Sequence, residues 1–392
     1  MENPIRMFFS SLDDPRSGEN VLYPLEEILL VAIVCFLIGG EGYEDMEDTG
    51  EVWEDELRRY YPFNRGTPSA DTFRYVFMNL EPRKFGDCFA RWMSHLHENM
   101  EGLIAVDGKS SRGSGKSKNA VSPITTVSAY CHERGVTMAC IDTEDKSNEI
   151  TVLPKLLEML DLKKSVVSLD AMGCQKNVAK QIMDQKGDYL ISLKGNQGTL
   201  HQEVSSFFEA IGKEYPDYEG VGKEFVMDVH EYEDHSKSRE YRRRIVSTSD
   251  FCGGLEQFRN KWEGLKSIVM IESWRTSKGQ SSFERRYYIS SLEADSRNLA
   301  QLMRNHWSVE NNLHWMLDLY FDDDGCTVRN RNAAKNFAIL KRIALNTLQE
   351  HKKSSLRKKS IRRTKRIASM SPKHVHQMIQ LTKTQLGRPI SA

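Results

Sequence analysis

Between Leu103 and Leu193, short β-rich runs and helical stretches follow one another in an order that few folds accommodate. The apolar runs Leu103–Val106, Ile124–Cys131 and Val136–Ile141, separated by Gly- and Ser-bearing turns, predict three consecutive strands. A helix is expected over Ile150–Leu160, where Leu153, Leu156, Leu157 and Leu160 share one face. A strand Val166–Leu169, a helix Lys176–Gln185 and a strand Tyr189–Leu193 complete the series. The order βββαβαβ predicts a mixed sheet, an antiparallel meander continued by parallel strands and covered by helices.

The flanks have a different texture. Residues 1–100 read as a helical N-terminal domain: Leu25–Ile38 stops at Gly39-Gly40, Ser69 or Asp71 caps a helix through Leu80, and Pro82 opens another with Phe85, Phe89, Trp92, Met93 and Leu96 at helical spacing. The helix-turn-Pro-helix pattern favours packing over base readout, because the acidic stretch beside it would repel phosphate. The first part of the α/β core takes 101–199. Runs at Phe225–Tyr232, Tyr241–Ser247, Ile268–Trp274 and Arg285–Ser290 make 200–292 a β-rich insertion. Residues 293–350 supply two further helices that complete the core, and 351–392 form a basic C-terminal tail.

The 55 basic and 55 acidic residues cancel, but they are segregated: nine acids lie in Glu41–Glu56, and nine Lys or Arg with no acid in Lys352–Arg366. Seven cysteines without a C-x-x-C pair fit reduced thiols rather than a disulfide framework or a zinc ribbon. The longest apolar run, Ile28–Ile38, has 11 residues, short of the roughly 20 needed to span a bilayer. No leader pattern opens the chain. A cytoplasmic protein with no membrane partner is expected.

Two carboxylates leave the ends of apolar strands: Asp107, followed by Gly108, Lys109, Ser110, Ser111 and Arg112, and Asp170, followed by Ala171, Met172 and Gly173. In the expected order the first and fourth strands are parallel neighbours, so one ion could touch both. Taken alone, each Asp is more often a turn or cap residue. The third candidate is Glu310, with His306 and His314 recurring every four residues along an otherwise apolar stripe that includes Leu302 and Leu317. Carboxylates suit hard cations such as Mg²⁺. Two ions would activate a water or a 3′-hydroxyl for in-line attack on phosphorus. H-E-x-x-H is absent, so zinc is the lesser reading of the His pair, which is better suited to orienting a carboxylate or touching phosphate. Lys109, Arg112, Lys194, Asn196, Gln197, His306 and His314 near these positions, with Arg357, Lys358, Arg362 and Arg363 in the tail, are the candidate DNA contacts. Asp322, Asp323 and Asp324 read as a structural helix end, and Trp307 and Trp315 as core aromatics before base-stacking ones.

Several stretches together resemble the insertion-sequence DDE transposases of the H-repeat-associated branch. They are Phe9–Arg16, Ala105-Val106-Asp107-Gly108-Lys109, Ser168–Gln175, Leu193–Gln197, Tyr287–Leu292, His306–Trp315 and Asn332-Ala333-Ala334. The resemblance implies a ribonuclease H-like catalytic core, whose element order the strands already suggest, with a β-rich insertion between the second Asp and the Glu. It also implies Mg²⁺ or Mn²⁺, two ions, held by Asp107, Asp170 and Glu310. The expected activity is cleavage at transposon ends and strand transfer to target DNA by a homodimer on double-stranded DNA. One departure concerns the Tyr, Arg and Lys that related transposases place around the glutamate. Met303, His306 and Leu317 stand there instead, so the roles of those three do not transfer. The rival expectations are a non-catalytic DNA-binding derivative and a metal-dependent nuclease without strand transfer.

Overall fold

The structure is a computed structural model. It describes residues 4–18, 21–97, 101–115, 122–143, 149–218, 225–236, 239–277, 280–355 and 359–384. Five helices open the chain: α1 (Pro4–Phe9), α2 (Leu25–Ile38), α3 (Tyr43–Leu57), α4 (Ala70–Asn79) and α5 (Pro82–Leu96). The expected core series follows as β1 (Gly102–Ser111), β2 (Ile124–Cys131), β3 (Val136–Asp142), α6 (Leu153–Glu158), β4 (Ser165–Leu169), α7 (Lys176–Asp184) and β5 (Asp188–Leu193). Then come α8 (Gly198–Glu214), β6 (Asp228–Ser236), β7 (Arg239–Thr248), α9 (Glu256–Arg259), β8 (Ser267–Ser277) and β9 (Gln280–Ser290). Helix α10 (Ser296–Val309) runs through a π-helical turn, Glu310–His314, into α11 (Trp315–Phe321), and α12 (Arg331–Ser354), α13 (Ile361–Met370) and α14 (Pro372–Thr384) close the chain.

The nine strands form one mixed sheet in the order β3-β2-β1-β4-β5-β9-β8-β7-β6. Strand β4 is parallel to both β1 and β5, and β2 pairs antiparallel with β3. The 3-2-1-4-5 order is the ribonuclease H-like arrangement expected from the sequence. The insertion is not a separate sheet, because β9 pairs antiparallel with β5 from Leu190↔Ser290 to Leu193↔Tyr287. Strands β8, β7 and β6 then extend the same ladder.

By compactness the chain divides into two units, Met1–Glu98 with Gly108–Asn148 and Glu310–Ala392, and Asn99–Asp107 with Glu149–Val309. In the first, α12 is buried along most of its length. Its Phe337 ring meets Phe36, Tyr43 and Phe77 edge-on. Its polar side chains serve as hydrogen-bonding pegs. The Asn336 amide donates to the carbonyls of Phe77 and Leu80 at 3.0 Å each, and Asn346 both accepts from and donates to the Thr137 backbone, at 2.9 and 2.8 Å. Buried backbone groups left unpaired at these points would be costly, which explains amides inside an apolar helix.

Local sequence explains the outer helices. Helix α2 is apolar all round and buried, and it stops at Gly39, whose φ of 121° lies where a side chain would be strained. The acidic stretch, for which no element was expected, forms α3; the Asp45 carboxylate accepts from the backbone N–H groups of Glu41 and Gly42 at 2.7 and 3.0 Å and closes its first turn. Past residue 350 the described chain is largely helical rather than a bare tail. Ser360 caps α13 through the Arg363 N–H at 3.2 Å, and Ile361, Thr364 and Ala368 are buried while Arg362 and Arg363 are exposed. Arg357 and Lys358 lie outside the described residues.

In the second unit, Leu190, Ile245, Val269, Ile271, Tyr288, Leu299, Ala300 and Met303 form one apolar cluster that seats α10 on the sheet. All seven cysteines are free. No helix among the described residues is long and apolar enough to cross a membrane.

Candidate active site

The register between β1 and β4 runs from Gly102↔Ser165 to Val106↔Leu169. One step further along the two paths stand Asp107, within β1, and Asp170, just past the end of β4, so the parallel pairing expected from the sequence brings the two positions side by side. Asp107 is half-buried and Asp170 exposed. The Asp170 side chain caps the short turn Ala171–Gly173, accepting from the N–H groups of Met172 at 2.9 Å and Gly173 at 3.3 Å through one oxygen. Both readings of this residue therefore hold at once: it is a turn cap, and it is a carboxylate at a strand end.

The loop after Asp170 is braced from β5. The side-chain amide of Asn196 donates to the Ala171 carbonyl at 2.6 Å, and that of Gln197 to the Cys174 carbonyl at 2.8 Å. These two candidate DNA contacts thus act first on the Asp170 turn, while Lys194 between them and the strand is exposed. Glu149, which the sequence does not single out, has a carboxyl whose pKa is raised by burial and by the negative charge of Asp170. No spacing marks it, since it precedes a helix by a single short turn.

Helix α10 is tied to β4 two residues before Asp170, where Ser168 Oγ and His306 Nδ1 share a hydrogen bond of 2.8 Å. Burial pushes the His306 ring down to about 4, against the pull of Asp170. The folded chain keeps this ring neutral, whereas an unfolded ring takes its proton near 6.5. Unfolding therefore binds a proton across that interval, and stability falls as pH drops from about 6.5 towards about 4. Replacing the ring, as in His306→Phe, is expected to flatten this part of the melting-temperature profile. An unchanged slope would mean the ring does not titrate on unfolding.

One turn beyond His306, Glu310 opens the π-helical turn, a local widening frequently found at functional sites. Glu310 is exposed, and its Oε2 lies 3.7 Å from Nδ1 of His314, which is buried. Burial, with Arg342 and Lys109 adding to it, pushes the His314 ring down to about 3, so it stays neutral and can offer a lone pair. A carboxylate beside a neutral imidazole is a pair of donors that suits a divalent cation. The Asp170 carboxylate turns to the cap described above.

Lys109 does not stand on the surface as a DNA contact would. Strand β1 continues past Asp107, and its two-residue alternation buries Lys109 and Ser111 on one face. The Lys109 ammonium lies 2.7 Å from Asp318, 3.3 Å from Asp324 and 3.8 Å from Asp323. Asp323 also receives Lys341 at 3.1 Å and the Ser111 hydroxyl at 2.9 Å. Burial would raise the Asp323 carboxyl, but Lys341, Arg342, Lys109 and the Ser111 hydroxyl outweigh it and hold it low. Asp318, Asp323 and Asp324 thus belong to a structural ion network, while Asp322 ends α11 in the left-handed region. Arg112, 84% exposed, reaches it only at 3.6 Å from Asp324 and is open to solvent.

The ribonuclease H-like sheet and a family model matched over more than half of the chain place it in the class of polynucleotidyl-transferase-type proteins. Residues 98–347 match the family model described as the transposase DDE domain, and residues 6–93 match the model described as DDE_Tnp_1-associated. The chain belongs to the DDE transposase family. It is 38% identical over 355 residues to "Putative transposase YncI" of Escherichia coli O157:H7, covering 88% of this chain and 87% of that protein. It is 37% identical over 357 residues to "H repeat-associated putative transposase YhhI" of Escherichia coli K12, covering 89% and 92%. A solved piggyBac transposase synaptic complex with hairpin DNA gives a TM-score of 0.46 at 10% identity, over 99% of this chain and 78% of that one.

Proposed function

We propose that the chain is a DNA transposase that nicks the ends of its element and joins the freed 3′-hydroxyl to target DNA, with Asp107, Asp170 and Glu310 as its catalytic carboxylates. The observation that carries this reading is the pair Asp107 and Asp170 at adjoining positions of two parallel strand paths, in a chain of the DDE transposase family. Mg²⁺ or Mn²⁺, two ions in this reading, would when bound polarise the phosphoryl group and lower the pKa of the attacking water or hydroxyl. The protein's own part is to hold and orient. Asp107 and Asp170 are fixed by the ladder between β1 and β4, and the Met172 and Gly173 N–H groups hold one Asp170 oxygen. His306 pins the helix that leads into Glu310, and His314 stands beside Glu310 as a neutral donor.

Exposed Lys194, Arg112, Arg362 and Arg363 are the cations we assign to backbone phosphates of double-stranded DNA. Both ends must be joined in one event, which favours a homodimer on paired ends, and the cytoplasm is the compartment that fits. The test is nicking and joining by the full chain on DNA carrying both ends of its element, with Mg²⁺ or Mn²⁺ and with EDTA. Metal-dependent nicking followed by joined product is the expected result. Binding without cleavage would leave a DNA-binding derivative, and cleavage without joining would leave a nuclease.

A further inference from the structure

The two faces of the insertion sheet treat arginine differently. On one face Glu231 receives Arg242 at 2.9 Å and also Arg244, while Glu272 receives Arg285 at 2.7 Å and Arg244 at 3.6 Å. The register places Glu231, Arg244, Glu272 and Arg285 in one cross-strand row, so acids and bases there cancel. Arginines lie over aromatic rings on both faces, since Arg242 and Arg244 also sit 5.3 and 5.7 Å from the Trp274 centroid, but on the opposite face they do so with few acids beside them. Arg243 is 5.1 Å from the Tyr241 centroid, Arg275 is 5.8 Å from the same ring, and Arg304 of α10 is 4.4 Å from Tyr232. Arg286 lies 4.8 Å from Trp307 and pairs with Glu284 at 2.7 Å. Among the described residues no carboxylate pairs with Arg243, Arg275 or Arg304. Together these groups line a cleft of about 410 Å³ inside the second unit.

A guanidinium over a ring is held in place by its flat face and keeps its in-plane N–H donors for a partner. Here Arg243 directs one donor at the Tyr232 hydroxyl, 3.4 Å away. Four guanidiniums against one carboxylate give the cleft a net positive charge, and the fork geometry matches phosphate. Neither a cationic nor an apolar ligand is complementary to it, and its volume suits part of one strand rather than a duplex. We propose that this cleft grips the phosphodiester backbone of one DNA strand, without reading its sequence. The proposal rests on the transposase reading, since it takes DNA as the occupant, but it assigns a site that the carboxylates do not involve.

The experiment is equilibrium binding of the full chain to DNA carrying the element ends, in EDTA, over a range of salt. Three variants are compared with wild type: Arg243→Gln, Arg275→Gln and, as control, Arg242→Gln, which is next in sequence but on the acid-paired face. Each cleft variant is expected to weaken binding about three- to tenfold and to lower the slope of log K against log salt by about 0.7–0.9 for each phosphate that the variant no longer neutralises. Arg242→Gln is expected to leave both near wild type. Should a Gln variant unfold, Arg243→Lys and Arg275→Lys keep the charge and are expected to keep the slope.

Equal slopes in cleft and control variants would overturn the cleft as the DNA site while leaving transposase activity intact. Displacement of the DNA by millimolar deoxynucleoside monophosphate, with the same dependence on Arg243, would also overturn it in favour of a free-nucleotide site. Failure of wild type to bind the ends at low salt would overturn the transposase reading, and this proposal with it.

Discussion

Asp170→Asn is expected to leave the fold and DNA binding in place while lowering cleavage and joining on the order of a thousandfold. The geometry explains why the two effects separate. The structural duty of Asp170 is to accept hydrogen bonds from the Met172 and Gly173 N–H groups through one oxygen, and an asparagine carbonyl oxygen can do the same. The negative charge is lost. If that charge holds an ion whose stabilisation of the transition state is worth several kcal/mol, the rate falls by about three powers of ten. Single-turnover cleavage, a melting curve and binding in EDTA measure the three effects separately. Retention of cleavage within about tenfold of wild type would reduce Asp170 to a turn cap and sink its catalytic assignment. Glu149, beside Asp170, would then be the carboxylate to test.

Lys109→Met should destabilise the chain by about 3 kcal/mol at neutral pH, the lower end of what breaking a buried ion pair costs. The lower end applies because Asp318 and Asp324 are 38% and 34% exposed and can rehydrate, whereas Asp323, 2% exposed, keeps Lys341. The deficit has a direction in pH. Asp323 is held low in the folded chain, so its contribution is present above its unfolded value and is lost as pH falls through the folded one. The gap between wild type and variant should therefore narrow in acid. Denaturant unfolding at pH 7 and in acid measures both. Unaltered stability combined with weaker, less salt-dependent DNA binding would return Lys109 to the role of a phosphate contact.

The core was legible because its elements differ locally in period: the apolar runs that end at Val106 and Leu169 sit between turns, and Leu153, Leu156 and Leu157 repeat at helical spacing. Asp107 and Asp170 are legible as a pair in the sequence, since parallel neighbours bring equivalent positions side by side. Lys109 was misjudged because strand β1 does not stop at Val106. Extending the two-residue alternation from Leu103 through Ala105 and Asp107 would have put Lys109 on the inner face, but Gly108 and the polar run Lys109-Ser110-Ser111-Arg112 read as a turn. Its partners, Asp318, Asp323 and Asp324, lie some two hundred residues away, and no local pattern reports them. The helices past residue 350 were hidden for a related reason. Thr364 and Ala368 are weakly apolar, and the nine cations from Lys352 to Arg366 dominate the composition. The arginines of the insertion were seen only as strand residues, because which face each occupies depends on the register across four strands.

The amides of α12 also set a schedule. The carbonyls of Phe77 and Leu80 find their donor in Asn336, up to 259 residues later in the chain. At about 5–20 residues per second, a ribosome needs on the order of tens of seconds to close that gap. During that time the N-terminal helices exist without the helix that completes them, their apolar faces open to chaperones, proteases or one another. A message cut short before codon 331 would yield a product that cannot finish its first eighty residues, however intact they are. Proteolysis of stalled nascent chains should find that region protected only once α12 has emerged.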